Sequence, residues 1–169
     1  MKTRKITGLA MLTAIALTIF LLEAQIPPVV PLPGVKLGLA NIVTVFTVFA
    51  IGPKEGILVL TARIFLGAVF AGNFSTIFYS AGGGACAIGV TILLKKVLRR
   101  DQLFVAGVFG AIGHSVGQMA VAVCITRTPE LLLTYLPVMI LISIVTGLFT
   151  GLCAQFLINR GKLWKTILQ

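Results

Sequence analysis

Long apolar stretches, separated by short charged or Pro/Gly-rich breaks, dominate the chain. They cover residues 6–26, 37–51, 57–71, 75–94, 103–125 and 131–158. A helix crossing the hydrocarbon core needs about 20 residues, within a range of roughly 17–25. The second and third stretches are short by that measure, so they tilt, borrow flanking residues or stop partway. The sixth is long and holds Pro137, Gly147 and Gly151, which predicts a kink or a tilt. The pattern predicts an all-α integral membrane protein: one domain over residues 1–169, folded as a six-transmembrane-helix bundle.

Composition strengthens that reading. Hydrophobic residues make up 58% of the chain and charged ones 11%, against about 45–50% and about 25% in ordinary soluble domains. A soluble fold of this size could not hide so much apolar surface, and no length remains for a soluble catalytic module. The net charge of +10 does not point to nucleic acid, because the basic residues fall between apolar runs, where they orient helices. The lipid bilayer is the expected partner.

Basic residues also predict topology. With the N-terminus inside, the cytoplasmic segments hold Lys2, Arg4, Lys5, Lys54, Lys95, Lys96, Arg99, Arg100, Arg160, Lys162 and Lys165. The other side holds only Lys36 and Arg127, and Arg63 falls within a helix. This bias predicts cytoplasmic termini and an even helix count. The basic start followed by an apolar run imitates a secretory signal. The run is longer than a usual signal core, however, and Leu22-Glu23-Ala24 is a poor cleavage site, so a retained first helix is expected. The segment from Gln25 to Gly34 holds four prolines. It reads as a stiff extended connector or as a semi-rigid lid over the outer mouth.

Polar residues in membrane helices are costly and tend to face the bundle interior or a cavity. At about 1.5 Å per residue, Glu23 falls near the outer end of the first helix and Lys36 at the mouth of the second. Asn41 falls roughly two turns further in. Asn73, Ser75 and Thr76 mark an outer turn, His114 and Gln118 share one face of the fifth helix, and Tyr135 starts the sixth. The polar side chains thus concentrate in the outer half. Asn41, His114 and Gln118 either line an outward ligand pocket or join helices by hydrogen bonds. Glu23 and Lys36 are explained by an ion pair or by snorkelling. Arg63 lies near mid-membrane with no acidic neighbour in sequence, and needs Glu23, a helix end or an anionic ligand group as partner.

Other motifs carry less chemistry. Gly82-Gly83-Gly84 follows no strand and precedes no Gly-Lys-Ser/Thr, so it serves helix packing or a local break, not nucleotide binding. Cys86, Cys124 and Cys153 lie inside apolar runs and suggest neither disulfides nor a metal site. Ala10 and Ala14, with Gly8 beside them, form a small-residue face that admits a close partner helix. The acids Glu23, Glu55, Asp101 and Glu130 fall on different segments, so no acidic pair for Mg²⁺ and a diphosphate is evident. The chain is not expected to be an enzyme on its own.

Several stretches carry a resemblance. They are Leu22-Glu23-Ala24-Gln25-Ile26-Pro27, Pro33-Gly34-Val35-Lys36-Leu37-Gly38-Leu39-Ala40-Asn41-Ile42, Ala62-Arg63-Ile64-Phe65-Leu66-Gly67, Ser80-Ala81-Gly82-Gly83-Gly84 and Gly113-His114-Ser115-Val116-Gly117-Gln118. Together they resemble the Gx transporter family, also labelled heptaprenyl diphosphate synthase component I, over nearly the whole chain. That family is grouped with the substrate-binding S components of energy-coupling-factor (ECF) transporters. The resemblance implies a multi-pass protein of the bacterial cytoplasmic membrane with a substrate site in its outer half. It also implies an Ala-x-x-x-Ala face, here Ala10 and Ala14, that docks on a coupling subunit working with ATPases. Lys36, Asn41, Arg63, His114 and Gln118 are the candidate ligand-binding residues. Similar proteins accompany a small membrane-anchored, flavin-associated protein in extracellular electron transfer. Quinone or flavin would then act through partners, with no intrinsic cofactor. A third expectation is an accessory to a polyprenyl diphosphate synthase; the single Asp leaves no counterpart to that enzyme's Asp-rich motifs.

Overall fold

The computed structural model describes residues 3–26 and 36–160. The described residues form α1 (Thr3–Glu23), α2 (Asn41–Ala50), α3 (Pro53–Ala71), α4 (Ser75–Lys95), α5 (Leu103–Thr126), α6 (Glu130–Thr134) and α7 (Leu136–Arg160), with one 3₁₀ turn at Arg100–Gln102. Of the segment from Gln25 to Gly34, read as connector or lid, residues 27–34 lie outside the described residues. Four helices, α1, α4, α5 and α7, are long and apolar enough to cross a membrane.

Helix ends follow local chemistry. Residue 26 precedes Pro27, whose ring disfavours the helical region there, and α1 ends at Glu23 instead of running to 26. Gly38, at φ 82°, breaks the second apolar run, so α2 starts at Asn41 and not at 37. Asn41 is therefore the first residue of its helix, not two turns into it. Pro53 opens α3 at a position that needs no N–H, and Gly72 closes it in the left-handed conformation. The sixth run divides at Tyr135, and Pro137 sits in the first turn of α7, where its missing N–H is harmless. Tyr135 packs beside Tyr79, Met119 and Met139.

The distribution of side chains suits lipid as solvent. Phe65, Phe70, Phe74, Phe78, Phe109, Leu141, Val145 and Phe149 face outward. Thr44, Thr47, Ser80, Thr91, Ser115, Gln118, Ser143 and Thr150 are buried among the helices. Inside, hydroxyls find local acceptors: Thr47 Oγ1 donates to the Val43 carbonyl, and Ser115 and Ser143 share a 2.6 Å bond. In water this arrangement would expose far too much apolar surface. With four spanning-length apolar helices beneath it, the chain is a membrane protein.

α5 packs most extensively, against α4 on one side and α7 on the other. Glycines permit the approach. Gly117 meets the backbone of Gly82, and Gly107 meets Gly147 and Gly151. α2 is different in kind. At about 1.5 Å per residue its 10 residues span about half of a roughly 30 Å core, and eight of them are buried. It touches α1, α3, α4, α5 and α7, so protein surrounds it.

Short turns join α2 to α3, α3 to α4 and α4 to α5, which therefore run antiparallel, and Glu23 at the end of α1 bonds the backbone just before α2. The end of α1, the start of α2, the end of α3, the start of α4 and the end of α5 accordingly share one end of the bundle. The opposite end gathers Lys5, Lys54 and Lys95, with Lys5 paired to Glu55 there.

Candidate functional site

The centre of the first-named half is built around an irregular piece of backbone. Between 36 and 40 the chain is not helical, so its N–H groups need partners other than a helical ladder. Glu23 supplies them. One carboxylate oxygen accepts from Gly38 N–H at 2.6 Å, the other from Leu39 N–H at 2.9 Å. Glu23 is buried, and it is neither a snorkelling residue nor a close ion-pair partner among the described residues. It instead holds the entrance to α2 and lies in the fields of Lys36 and Arg63.

Gln118 fastens the same backbone from α5. Its Oε1 accepts from Lys36 N–H at 3.2 Å, and its Nε2 lies 2.9 Å from His114 Nε2. The amide donates in the second contact, so His114 Nε2 accepts and its proton sits on Nδ1. Space here is tight. A Cβ on Gly38 would lie 2.9 Å from both Asn41 Nδ2 and His114 Cδ2, and one on Gly83 would lie 2.8 Å from His114 Nδ1. Glycine at 38 therefore serves a positive φ and a close approach together.

Phe20 forms the opposite wall. It is fully buried, with Gly67 against its ring. Lys36 Nζ stands 3.5 Å from the ring centroid, and the Arg63 guanidinium carbon 5.4 Å from it. Burial pushes the half-buried Lys36 ammonium below its ordinary value; Glu23 opposes this and Arg63 adds to it. The unfolded chain then keeps that proton over a window in which the folded chain has released it. Lys36 thus makes stability rise as pH climbs from the folded value towards the ordinary lysine value. Denaturation in detergent should show this rise below the ordinary lysine value, and Lys36→Met should flatten it.

Asn41, Arg63 and His114 are each nearly inaccessible, at 4%, 3% and 2% exposure. Asn41 Nδ2 and Oδ1 and Arg63 Nε and Nη2 find no hydrogen-bond partner among the described residues, whereas His114 has the Gly83 backbone beside it. An unmade bond at a buried polar group costs about 1–3 kcal/mol, and more for a charged one. Native structures leave few buried polar atoms unpaired, so such a cluster marks this place out from the rest of the bundle.

The five candidate ligand residues thus meet at one place, each with a different task. Asn41 and Arg63 present free polar groups, Gln118 and His114 brace one another, and Lys36 contributes backbone to Gln118 and side chain to Phe20. Ala10 and Ala14 are elsewhere, exposed on α1. Asn73 accepts from Ser75 at 2.6 Å and closes its own turn. An open groove along the end of α7, lined by Leu152, Gln155, Phe156 and Arg160, contains none of the cluster. Sequence reasoning missed Phe20, which looks like any other apolar residue of its run, and the role of Gly38. The lone acid in the first run was the available signal for Glu23.

Residues 12–157 match the heptaprenyl diphosphate synthase component I family. The chain belongs to that family. The match spans most of the chain and contains Phe20, Glu23, Lys36, Gly38, Asn41, Arg63, His114 and Gln118. The cluster described above therefore lies wholly within the matched region. No curated protein and no solved structure matches the chain significantly.

Proposed function

We propose that this chain is a membrane ligand-binding subunit, similar to the S components of ECF transporters, that captures a small or isoprenoid-like molecule for transport. Separate subunits supply the energy, and the chain itself catalyses nothing. In this reading six segments build the bundle in the bacterial cytoplasmic membrane, with residues 36–40 and α2 together forming the short inner one and α6 with α7 making the last. Both termini face the cytoplasm, and the ligand enters from the outer side. The distribution of Lys and Arg supports the orientation. The exposed small-residue face at Ala10 and Ala14 suits a close partner helix on a coupling subunit.

The observation that carries the reading is the set of buried, unpartnered atoms on Asn41 and Arg63. Helix-joining polar residues would bond one another, whereas these bond nothing described. The acids offer little to catalysis. Glu23 is committed to backbone amides, Glu55 pairs with Lys5, and Asp101 and Glu130 are exposed on separate segments.

Purification from native membranes in mild detergent, followed by mass spectrometry of bound proteins and small molecules, tests the proposal. The expected result is a retained small molecule that Asn41→Ala releases, together with a coupling subunit and ATPases. A stable flavin-associated partner or bound quinone would favour the electron-transfer role instead. A prenyl synthase whose product length depends on this chain would favour the accessory role. Folded protein that never carries a molecule would refute ligand capture.

A further inference from the structure

The unpartnered atoms of Arg63 lie on one particular edge of its guanidinium. A guanidinium has three edges, and Nε–H with one Nη2–H forms the side-on edge, with two parallel donors that match the two oxygens of a planar oxyanion. Those two nitrogens are the ones without partners among the described residues. Phe20 lies beside the guanidinium carbon and helps fix its plane. Glu23, the nearest acid in the electrostatic environment of Arg63, has both oxygens engaged with backbone N–H groups. It is therefore turned to the backbone and not to this edge.

Charge then selects among oxyanions. Among the described residues the charged side chains around the cluster are Lys36, Arg63 and Glu23, a balance of one positive charge. Segment 27–35, Pro-Pro-Val-Val-Pro-Leu-Pro-Gly-Val, contributes no charged residue. One excess positive charge in a buried site neutralises a single negative charge. A diphosphate would bring about three and leave the excess buried and unpaired, at a cost of several kcal/mol. Asn41, with a free donor and a free acceptor next to His114, can read one neutral polar group beside the anion.

We propose that the site binds a molecule through a single carboxylate held side-on by Arg63 Nε and Nη2, with Asn41 reading a neighbouring neutral polar group. This rests on the ligand-capture reading above and names its ligand class.

The test uses the full chain in detergent micelles with ¹⁵N-labelled arginine. The Arg63 Nε–H resonance is followed during separate titrations with benzoate, its uncharged counterpart benzamide, and pyrophosphate. Benzoate is expected to move the resonance saturably. Benzamide is expected to bind about ten- to a hundredfold more weakly, the loss of a charge-assisted bidentate contact, and pyrophosphate at least as weakly, because its surplus negative charge would be buried unpaired. Arg63→Lys should remove the benzoate response, read by thermal shift. Because loss of a buried guanidinium can unfold the chain, the wild-type titrations decide on their own if that variant does not fold. Pyrophosphate binding as tightly as benzoate would overturn the carboxylate assignment and leave ligand capture standing. So would benzoate stabilisation that survives in folded Arg63→Lys. Silence towards all three probes overturns the assignment too; ligand capture falls with it only if protein from native membranes also carries no small molecule.

Discussion

Glu23→Gln should be the most damaging single-atom exchange in the chain, lowering stability by about 3–5 kcal/mol. The carboxylate accepts from two successive backbone N–H groups, at 2.6 and 2.9 Å, on a stretch with no helical ladder of its own. Glutamine has one carbonyl oxygen, so one N–H would face an amide NH₂ instead of an acceptor. The charge would vanish as well, leaving Lys36 and Arg63 in each other's field without the group that offsets them. Breaking a buried charged arrangement from one side is costly because the remaining partners stay desolvated. Glu55→Gln is the comparison. It breaks the Lys5–Glu55 pair at the edge of the bundle, where both side chains reach solvent, and should cost no more than about 1 kcal/mol. Unfolding of both variants in mixed micelles measures the difference. Equal effects would mean that Glu23 does not organise the entrance to α2.

Gly107→Ala should rank next, with a loss of about 3 kcal/mol, the upper end of what overpacking usually costs. A methyl at that position would meet the Gly147 carbonyl and lie 2.5 Å from the Gly151 Cα. These are backbone atoms of α7, and they cannot rotate away as a side chain would. Relief requires α5 and α7 to separate along their whole contact, and the complementary glycines Gly147 and Gly151 show that both helices contribute to the closeness. Gly89→Ala is the control, since nothing lies within 4 Å of its added Cβ. Alanine there should stabilise α4 by about 0.5–1 kcal/mol through backbone entropy. Thermal unfolding in detergent should give the two variants opposite signs. A neutral Gly107→Ala would mean that the α5–α7 contact is looser than its glycines indicate.

The long elements were legible because lipid demands long apolar runs, and α4 and α5 start where composition placed them. Residues at run ends were less legible. Depth counted along an idealised helix put Glu23 at the interface, since nothing local shows that a carboxylate will turn inward to cap backbone from 15 positions away. Asn41 was placed too deep for the same reason: Gly38 interrupts the second run, yet a glycine in an apolar stretch does not announce a positive φ. Arg63 could be identified as needing a partner. The residues around it come from four segments, though, and its wall, Phe20, is one aromatic among eleven phenylalanines. Gly82, Gly83 and Gly84 invited the choice between packing and a break. α4 is continuous, and each faces a different neighbour: Val121 with Gly117, His114 with Gln118, and Leu60.

The sheathing of α2 sets its mechanical surroundings apart from those of every long helix. Membranes of different thickness act on a protein by tilting or stretching whatever lipid touches. Here the outer helices meet the acyl chains, while the short segment that begins with Asn41 is gripped by protein on nearly all sides. Variation in bilayer depth is absorbed at the periphery, and the geometry of the buried polar cluster at the centre is buffered from it.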